Sequence, residues 1–294
     1  TVATVPTANT FTIVATATAN ASDVGNGGSA TVAAYQIPVG NAIEVPFAGW
    51  GAGRWGFGEW GVGETTNAPM RLWSQNNFGE DLFFTLGGAS GVPTVVNIAY
   101  VSDIFRFAFC FGSNELGDPD LDPMLIRWSD QEDVANWTPS ATNQAGSLRV
   151  SKGTEIITIR QARQEILVFT DAALYGLQYL GAPDVWGAQL LGDNITVISP
   201  NATIYANNVA YWMGKDKFYY YDGTVKTLPC SVRSYVFNDI NPNQFDQVVC
   251  GTVEQFDEVW WFYPSTNATQ NDLYVVYNYI ESIWYYGSLS RAAW

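Results

Sequence analysis

The sequence predicts an all-β protein: a β-propeller of four-stranded blades, preceded by a small N-terminal β-hairpin module and an extended tryptophan/glycine arm. Three observations predict it. Hydrophobic residues make up 47% and aromatic residues 15% of the 294 residues, which suits pleated surfaces with large contact area rather than long helices. Short apolar runs alternate with polar turns along most of the chain. One such pattern recurs at intervals of roughly 40–55 residues, the spacing of propeller blades with unequal loops. The length allows either two ordinary domains or one large all-β domain, with ample chain for a buried core.

Residues 1–45 read as the small β-rich module. The stretch TVATVPTANTFTIVATATANAS alternates β-branched and small residues, breaks at Pro6 and at Ala8-Asn9, and resumes over Thr10-Phe11-Thr12-Ile13-Val14. Hairpin strands are expected there. A second alternating run follows Gly25-Asn26-Gly27-Gly28 and extends from Ala30 to Ile37. The chain begins with Thr, in mid-pattern, and is expected to be a processed or partial piece of a longer protein.

Residues 46–68 form the arm, which contains GWGAGRWGFGEWGVGE with Trp50, Trp55 and Trp60 at equal steps. A step of five fits neither the period of a strand nor that of a helix. In an extended ribbon Trp50 and Trp60 face one way and Trp55 the other, so the ribbon has two adhesive faces. Burial in a core of its own needs one face, whereas lying between two bodies uses both, and the glycines let the backbone follow a surface it does not shape. Trp50, Trp55 and Trp60 are therefore expected at a subunit interface. Packing over the chain's own blades and stacking on carbohydrate are the other uses open to them.

Residues 69–294 are expected to hold the blades. A short apolar run, a polar turn and a second apolar run appear at MRLWSQNN, MLIRWSDQ, EILVFTDA, VAYWMGKD and EVWWFYPS. The steps between successive turns are roughly 55, 41, 44 and 50 residues, and about four or five blades fit between Pro69 and Trp294. Closure of the ring can draw on sequence outside this chain. A β-sandwich also alternates and turns, but it need not repeat at this period.

The formal charge of −15, from 28 acidic and 13 basic residues, argues against a protein that grips nucleic-acid phosphates. An acidic wall instead suits a conduit past which DNA slides without sticking, and negative charge also serves plain solubility. The three cysteines, Cys110, Cys230 and Cys250, lie far apart with no CxxC pair; they are expected to be buried thiols made in a reducing cytosol. No apolar run is long enough for a membrane helix and no signal-peptide plan opens the sequence, so no membrane anchor is expected. Asn-x-Ser/Thr sequons occur, but a chain this rich in Asn and Thr produces them by chance.

Histidine is absent, which removes imidazole relays and imidazole-based zinc sites. What remains is carboxylate chemistry. Gly117-Asp118-Pro119-Asp120-Leu121-Asp122-Pro123 alternates aspartates but lacks the glycine and glutamate of an EF-type calcium loop, so it reads as a solvated acidic loop. Trp128-Ser129-Asp130-Gln131-Glu132-Asp133 is similar to the Asp-box turn of sialidase-like propellers, without its glycine; in those families the turn is a structural brace. Lys152, Arg160 and Arg163 form the one notable basic cluster, able to fork onto phosphate or carboxylate or to pair with acids of the same or a neighbouring subunit. No catalytic residue, cofactor or metal is expected, and the protein is read as a non-enzyme.

The stretches RLWSQNNFGEDLFF, DPMLIRWSDQEDVANWTP, GTEIITIRQARQEILVFTDAALYGLQYLG, NVAYWMGKDKFYYYDGTVKTLPC and EVWWFYPSTNATQNDLYVVYNYIESIWYYG resemble a family of bacteriophage virion proteins. In plan the chain is similar to the β-propeller tail nozzle, tail tubular and packaged-DNA stabilisation proteins of short-tailed phages. The resemblance covers about Trp50 to Trp294. It implies a structural protein of the virion tail, assembled in the host cytoplasm, whose copies form a homo-oligomeric, hexameric ring below the portal and adaptor. That ring retains packaged DNA and then lets it pass at ejection, in contact with other tail proteins. The acidic Asp118, Asp120 and Asp122 are then expected to face the channel. The readings from other classes are a tail-associated carbohydrate-binding or polysaccharide-cleaving propeller and a monomeric protein-interaction platform.

Overall fold

Alternating small and β-branched residues at the N-terminus form an antiparallel hairpin of β1 (Val2–Thr7) and β2 (Thr10–Ile13), with Val2 opposite Ile13 and Thr7 opposite Thr10. It belongs to a compact unit spanning Thr1–Val39, and Gly40–Trp294 forms a second unit. The structure is a computed structural model that describes residues 2–7, 10–13, 42–43, 70, 72, 74–78, 81–84 and 92–291. The arm of residues 46–68, with Trp50, Trp55 and Trp60, lies outside the described residues, as does the run from Ala30 to Ile37.

The first described strands of the second unit form a two-stranded hairpin, β3 (Gln75–Phe78) and β4 (Asp81–Phe84). Just before it, the Ser74 hydroxyl donates to the Ala99 carbonyl at 2.9 Å and accepts from the Ala99 N–H at 3.1 Å, which fixes the hairpin beside the next strand. Four four-stranded antiparallel sheets follow, each a meander of consecutive strands. The first holds β5 (Val96–Ser102), β6 (Phe107–Asn114), β7 (Leu121–Trp128) and β8 (Gly146–Arg149). The second holds β9 (Ile156–Gln161), β10 (Ile166–Thr170), β11 (Ala173–Gly181) and β12 (Val185–Asp193). The third holds β13 (Thr203–Ala206), β14 (Val209–Met213), β15 (Phe218–Tyr221) and β16 (Val225–Leu228). After a short helix α1 (Arg233–Asp239) and a 3-10 turn at Pro242–Gln247, the fourth holds β17 (Val249–Val253), β18 (Glu258–Tyr263), β19 (Leu273–Asn278) and β20 (Ile283–Ser288).

The sheets stack in chain order because their middle strands are apolar on both faces. In β10, Ile166 and Val168 join Phe107 and Phe109 between the first and second sheets. Leu167 and Phe169 face the other way, toward Ala210 and Trp212 of β14. In β14 the alternation repeats, with Tyr211 and Met213 turned toward Val259 and Trp261 of β18. Side chains of successive strand residues point to opposite faces, so a strand buried on both sides reads as an unbroken apolar run. First strands adjoin first strands, β9 beside β13 and β13 beside β17, while β8 lies near β12 at the other edge.

Three of the five recurring phrases fall at the same place in a sheet: EILVF, VAYWM and EVWWFY are the second strands β10, β14 and β18. Two are out of phase. MLIRW lies in the third strand β7, and the expected turn SQNN runs directly into β3. The reason is the first sheet's long third-to-fourth connection, Ser129 to Ala145, which the period alone does not reveal. Cys110 and Cys250 are buried free thiols as expected, and Cys230 is half-buried. No helix among the described residues is long and apolar enough to cross a membrane.

Candidate functional site

In an antiparallel meander the turn from second to third strand and the connection from fourth strand to the next sheet lie at the same end. That topology gathers acidic side chains. Glu155 sits in the connection entering β9, Asp171 in the β10–β11 turn, Lys215 in the β14–β15 turn and Asp246 in the 3-10 turn before β17. Three sheets thus contribute to one electrostatic group. Burial raises the Glu155 carboxyl above the usual carboxylate range, and the charges of Asp171 and Asp246 push it the same way, against Lys215. Burial likewise raises Asp246, again opposed by Lys215.

Asp171 is the fixed member. Burial alone would raise it, but the Thr154 hydroxyl and N–H both donate to its carboxylate at 2.7 Å and hold it below the usual range. Its own N–H donates to the Glu155 carbonyl at 3.1 Å. A parallel clamp recurs in the fourth sheet, where the Ser265 N–H and hydroxyl donate to Asp272 at 2.7 Å. The Ser265–Asp272 clamp closes a second-to-third turn and the Thr154–Asp171 clamp ties such a turn to the connection entering its sheet, so these carboxylates shape backbone; among the described residues Glu155 and Asp246 carry no such hold.

The acidic loop of the first sheet is the β6–β7 hairpin, at the corresponding end of its sheet. Asp118 and Asp120 are exposed, and the Asp118 carboxylate accepts from the Asp120 N–H at 3.0 Å. Asp122 differs. Its carboxylate accepts from Arg149 Nε of β8 at 2.6 Å and from the Met124 N–H at 3.0 Å. Burial opposes ionisation of Asp122, and these bonds outweigh it, lowering its carboxyl. The structure therefore leaves Asp118 and Asp120 facing solvent and ties Asp122 across the sheet.

Lys152, Arg160 and Arg163 are not brought together. Arg160 is half-buried against the third sheet, where its Nε donates to the Thr203 carbonyl at 2.8 Å and its Nη2 to the Pro200 carbonyl at 3.3 Å. Burial lowers its guanidinium from the usual value. Its partners are backbone carbonyls rather than the acids or phosphates that the cluster suggested. Lys152 lies 4.0 Å from Asp193 in an exposed pair, and Arg163 is exposed in the β9–β10 turn at the opposite end. The Ser129-Asp130 turn acts as a brace: the Ser129 hydroxyl accepts from the Ala108 N–H at 3.1 Å, and the Asp130 carboxylate accepts from the Gln144 N–H at 2.8 Å.

Among the described residues no group of three or more His, Cys, Asp or Glu side chains is placed to hold a metal ion. Sequence reasoning missed Glu155, Asp246 and Lys215 because they lie on separate sheets and only stacking joins them. Their sole local signal is a charge beside a strand start or turn, which many surface residues share.

No family model matches the chain, and no curated protein matches it. Among solved structures it is similar to the extracellular domain of a putative one component system from B. thetaiotaomicron, with a TM-score of 0.42 and 12% identity. The superposition covers 73% of this chain and 27% of that one, so the chain spans about a quarter of that structure's length.

Proposed function

We propose that the chain is a structural subunit of a short-tailed phage nozzle or connector, a β-propeller whose copies form a ring around a DNA conduit. The observation that carries the reading is the run of four consecutive meander sheets, stacked in chain order, with the first strands β9, β13 and β17 adjoining one another in the last three. That is how propeller blades are laid around an axis. Four of the five phage-like phrases fall on these sheets and the first on the β3–β4 hairpin, and the net charge of −15 suits a wall past which DNA slides. In this reading Asp118 and Asp120 stand at one mouth of the passage, with Asp122 restrained behind them, and Trp50, Trp55 and Trp60 join neighbouring subunits. Portal, adaptor and other tail proteins are its partners, and the virion tail is its location. Cryo-electron microscopy of the purified full-length protein tests this. A closed ring with an acidic bore supports it, and a monomer overturns it.

One observation favours a second reading, a carbohydrate-binding or polysaccharide-cleaving propeller. Glu155 and Asp246 are two carboxyls from different sheets, both raised by burial, and glycoside hydrolysis uses such a pair with one member kept protonated. Sugar release from host envelope polysaccharide, abolished in Glu155→Gln and in Asp246→Asn, supports that reading. No release and no binding of the polysaccharide removes it.

A further inference from the structure

The fourth strand of each sheet is an outer edge, and edges with free N–H and C=O groups invite another chain unless guarded. Three of the four have a guard. β8 carries Arg149 and β16 carries Lys226, while β12 ends on Asp193, is bulged against β11, and shows Leu190 as its one exposed large apolar side chain. β20 has none. Its sequence Ile-Trp-Tyr-Tyr-Gly-Ser holds no charge, and Ile283, Tyr285 and Tyr286 are 44%, 44% and 52% exposed. Among the described residues no strand pairs with its outer edge.

Both faces of this edge are aromatic. Tyr286 shares the face of the buried Trp284 and lies against Tyr235 of α1, ring centroids 4.4 Å apart. Ile283 and Tyr285 point the other way, opposite Asn278 and Val276 of β19. An occupant that adds a strand here must offer apolar side chains on two faces and a backbone slender enough to reach the edge.

We infer that β20 receives the Gly49–Glu64 segment of a second copy of this chain as an added strand. The inference rests on the ring-forming reading above and names the surface that the arm engages. The segment lies outside the described residues. Fully extended, its length of about 50 Å exceeds the roughly 20 Å of a six-residue strand, so it can run the whole edge with two tryptophans upon it. Trp50 and Trp55 fall on opposite sides of such a ribbon, matching the two aromatic faces, and the intervening glycines permit close backbone approach. Arg54, the segment's one basic residue, gives it a cation to set beside the exposed Glu281 that precedes β20.

The full-length chain is the test material. Ile283→Lys/Tyr285→Lys places on β20 the guard that β8 and β16 already have. It is expected to weaken self-association, measured by sedimentation, by about tenfold or more, with an unchanged circular dichroism spectrum. Separately, a Tyr285→Cys chain is mixed with a Trp55→Cys chain under a mild oxidant, with the wild type as control for the native thiols. A mixed disulfide dimer is expected. Assembly that is unaffected by the lysines and gives no mixed disulfide overturns this inference while leaving the ring standing. A Trp55→Cys/Tyr285→Cys double variant that closes its disulfide within one chain, while the mixed single variants give no dimer, overturns it in favour of packing within the chain. A monomeric wild type overturns both the inference and the reading beneath it.

Discussion

Removing Trp261 tests whether the third and fourth sheets are held together as described. Its side chain is fully buried, its ring centroid lies 5.0 Å from that of Phe218 in β15, and its Nε1–H donates to the Ala202 carbonyl at 3.0 Å across the sheet boundary. A buried tryptophan removes about 200 Å² from water, which at about 25 cal/mol per Å² is about 5 kcal/mol. Alanine retains part of that area, so Trp261→Ala is expected to cost about 3–5 kcal/mol, as large-to-small core changes do. Trp261→Phe keeps most of the apolar area and loses the hydrogen bond. The Ala202 carbonyl still accepts from the Met213 N–H at 3.2 Å and is not stranded, so this variant is expected to cost about 1–2 kcal/mol.

Urea unfolding followed by far-ultraviolet circular dichroism measures both costs, with Ile104→Ala in the exposed β5–β6 turn as control at under about 0.5 kcal/mol. A cost below about 1 kcal/mol for Trp261→Ala refutes the packing argument. Equal costs for the phenylalanine and alanine variants would show instead that the cross-sheet hydrogen bond, not the buried area, carries the coupling.

Three further outcomes follow from the same geometry. Glu155 has a raised carboxyl in the folded state, so its contribution favours folding fully below the unfolded value and is lost as pH rises through the folded one. Glu155→Gln is therefore expected to melt higher than wild type at about pH 7 and to show no gain below about pH 4 in thermal melts across that range. Gly153 has φ of +110°, and an added Cβ would meet the Asp171 carboxylate and the Thr170 side chain. Gly153→Ala is expected to lower stability by about 1–3 kcal/mol, and an unchanged urea midpoint would contradict the Thr154–Asp171 clamp. Burial raises the Cys110 thiol and pushes Cys250 up to about 12 and Cys230 up to about 11. At neutral pH a thiol-disulfide reagent is expected to leave Cys110 and Cys250 untouched until urea is added, with Cys230 reacting slowly; fast titration of all three in the native protein would refute their placement.

The recurring phrases were sufficient to expose the hairpins because a strand's side chains alternate and its turns are polar. EILVFTDA, VAYWMGKD and EVWWFYPS each mark a second strand and its turn. The same local rule misplaced MLIRWSDQ within its sheet, since a long connection looks no different from a turn until the partner strand is known. The Asp118–Asp122 run was legible as acidic, but not that Arg149, on another strand, takes up Asp122. Arg160 read as a cation for a bound anion or for an acid of the same or a neighbouring subunit, and it is instead a stitch to backbone carbonyls.

By itself the sequence determined the all-β class, the strand-and-turn grammar, the acidity and the absence of imidazole chemistry, because composition and the two-residue period act locally. Only the tertiary structure decided which face of each strand meets which sheet, which acids gather at one end, and that β20 is an edge without a guard. Those depend on contacts between residues far apart in the chain, whose pairing is set by stacking and register rather than by any neighbouring residue.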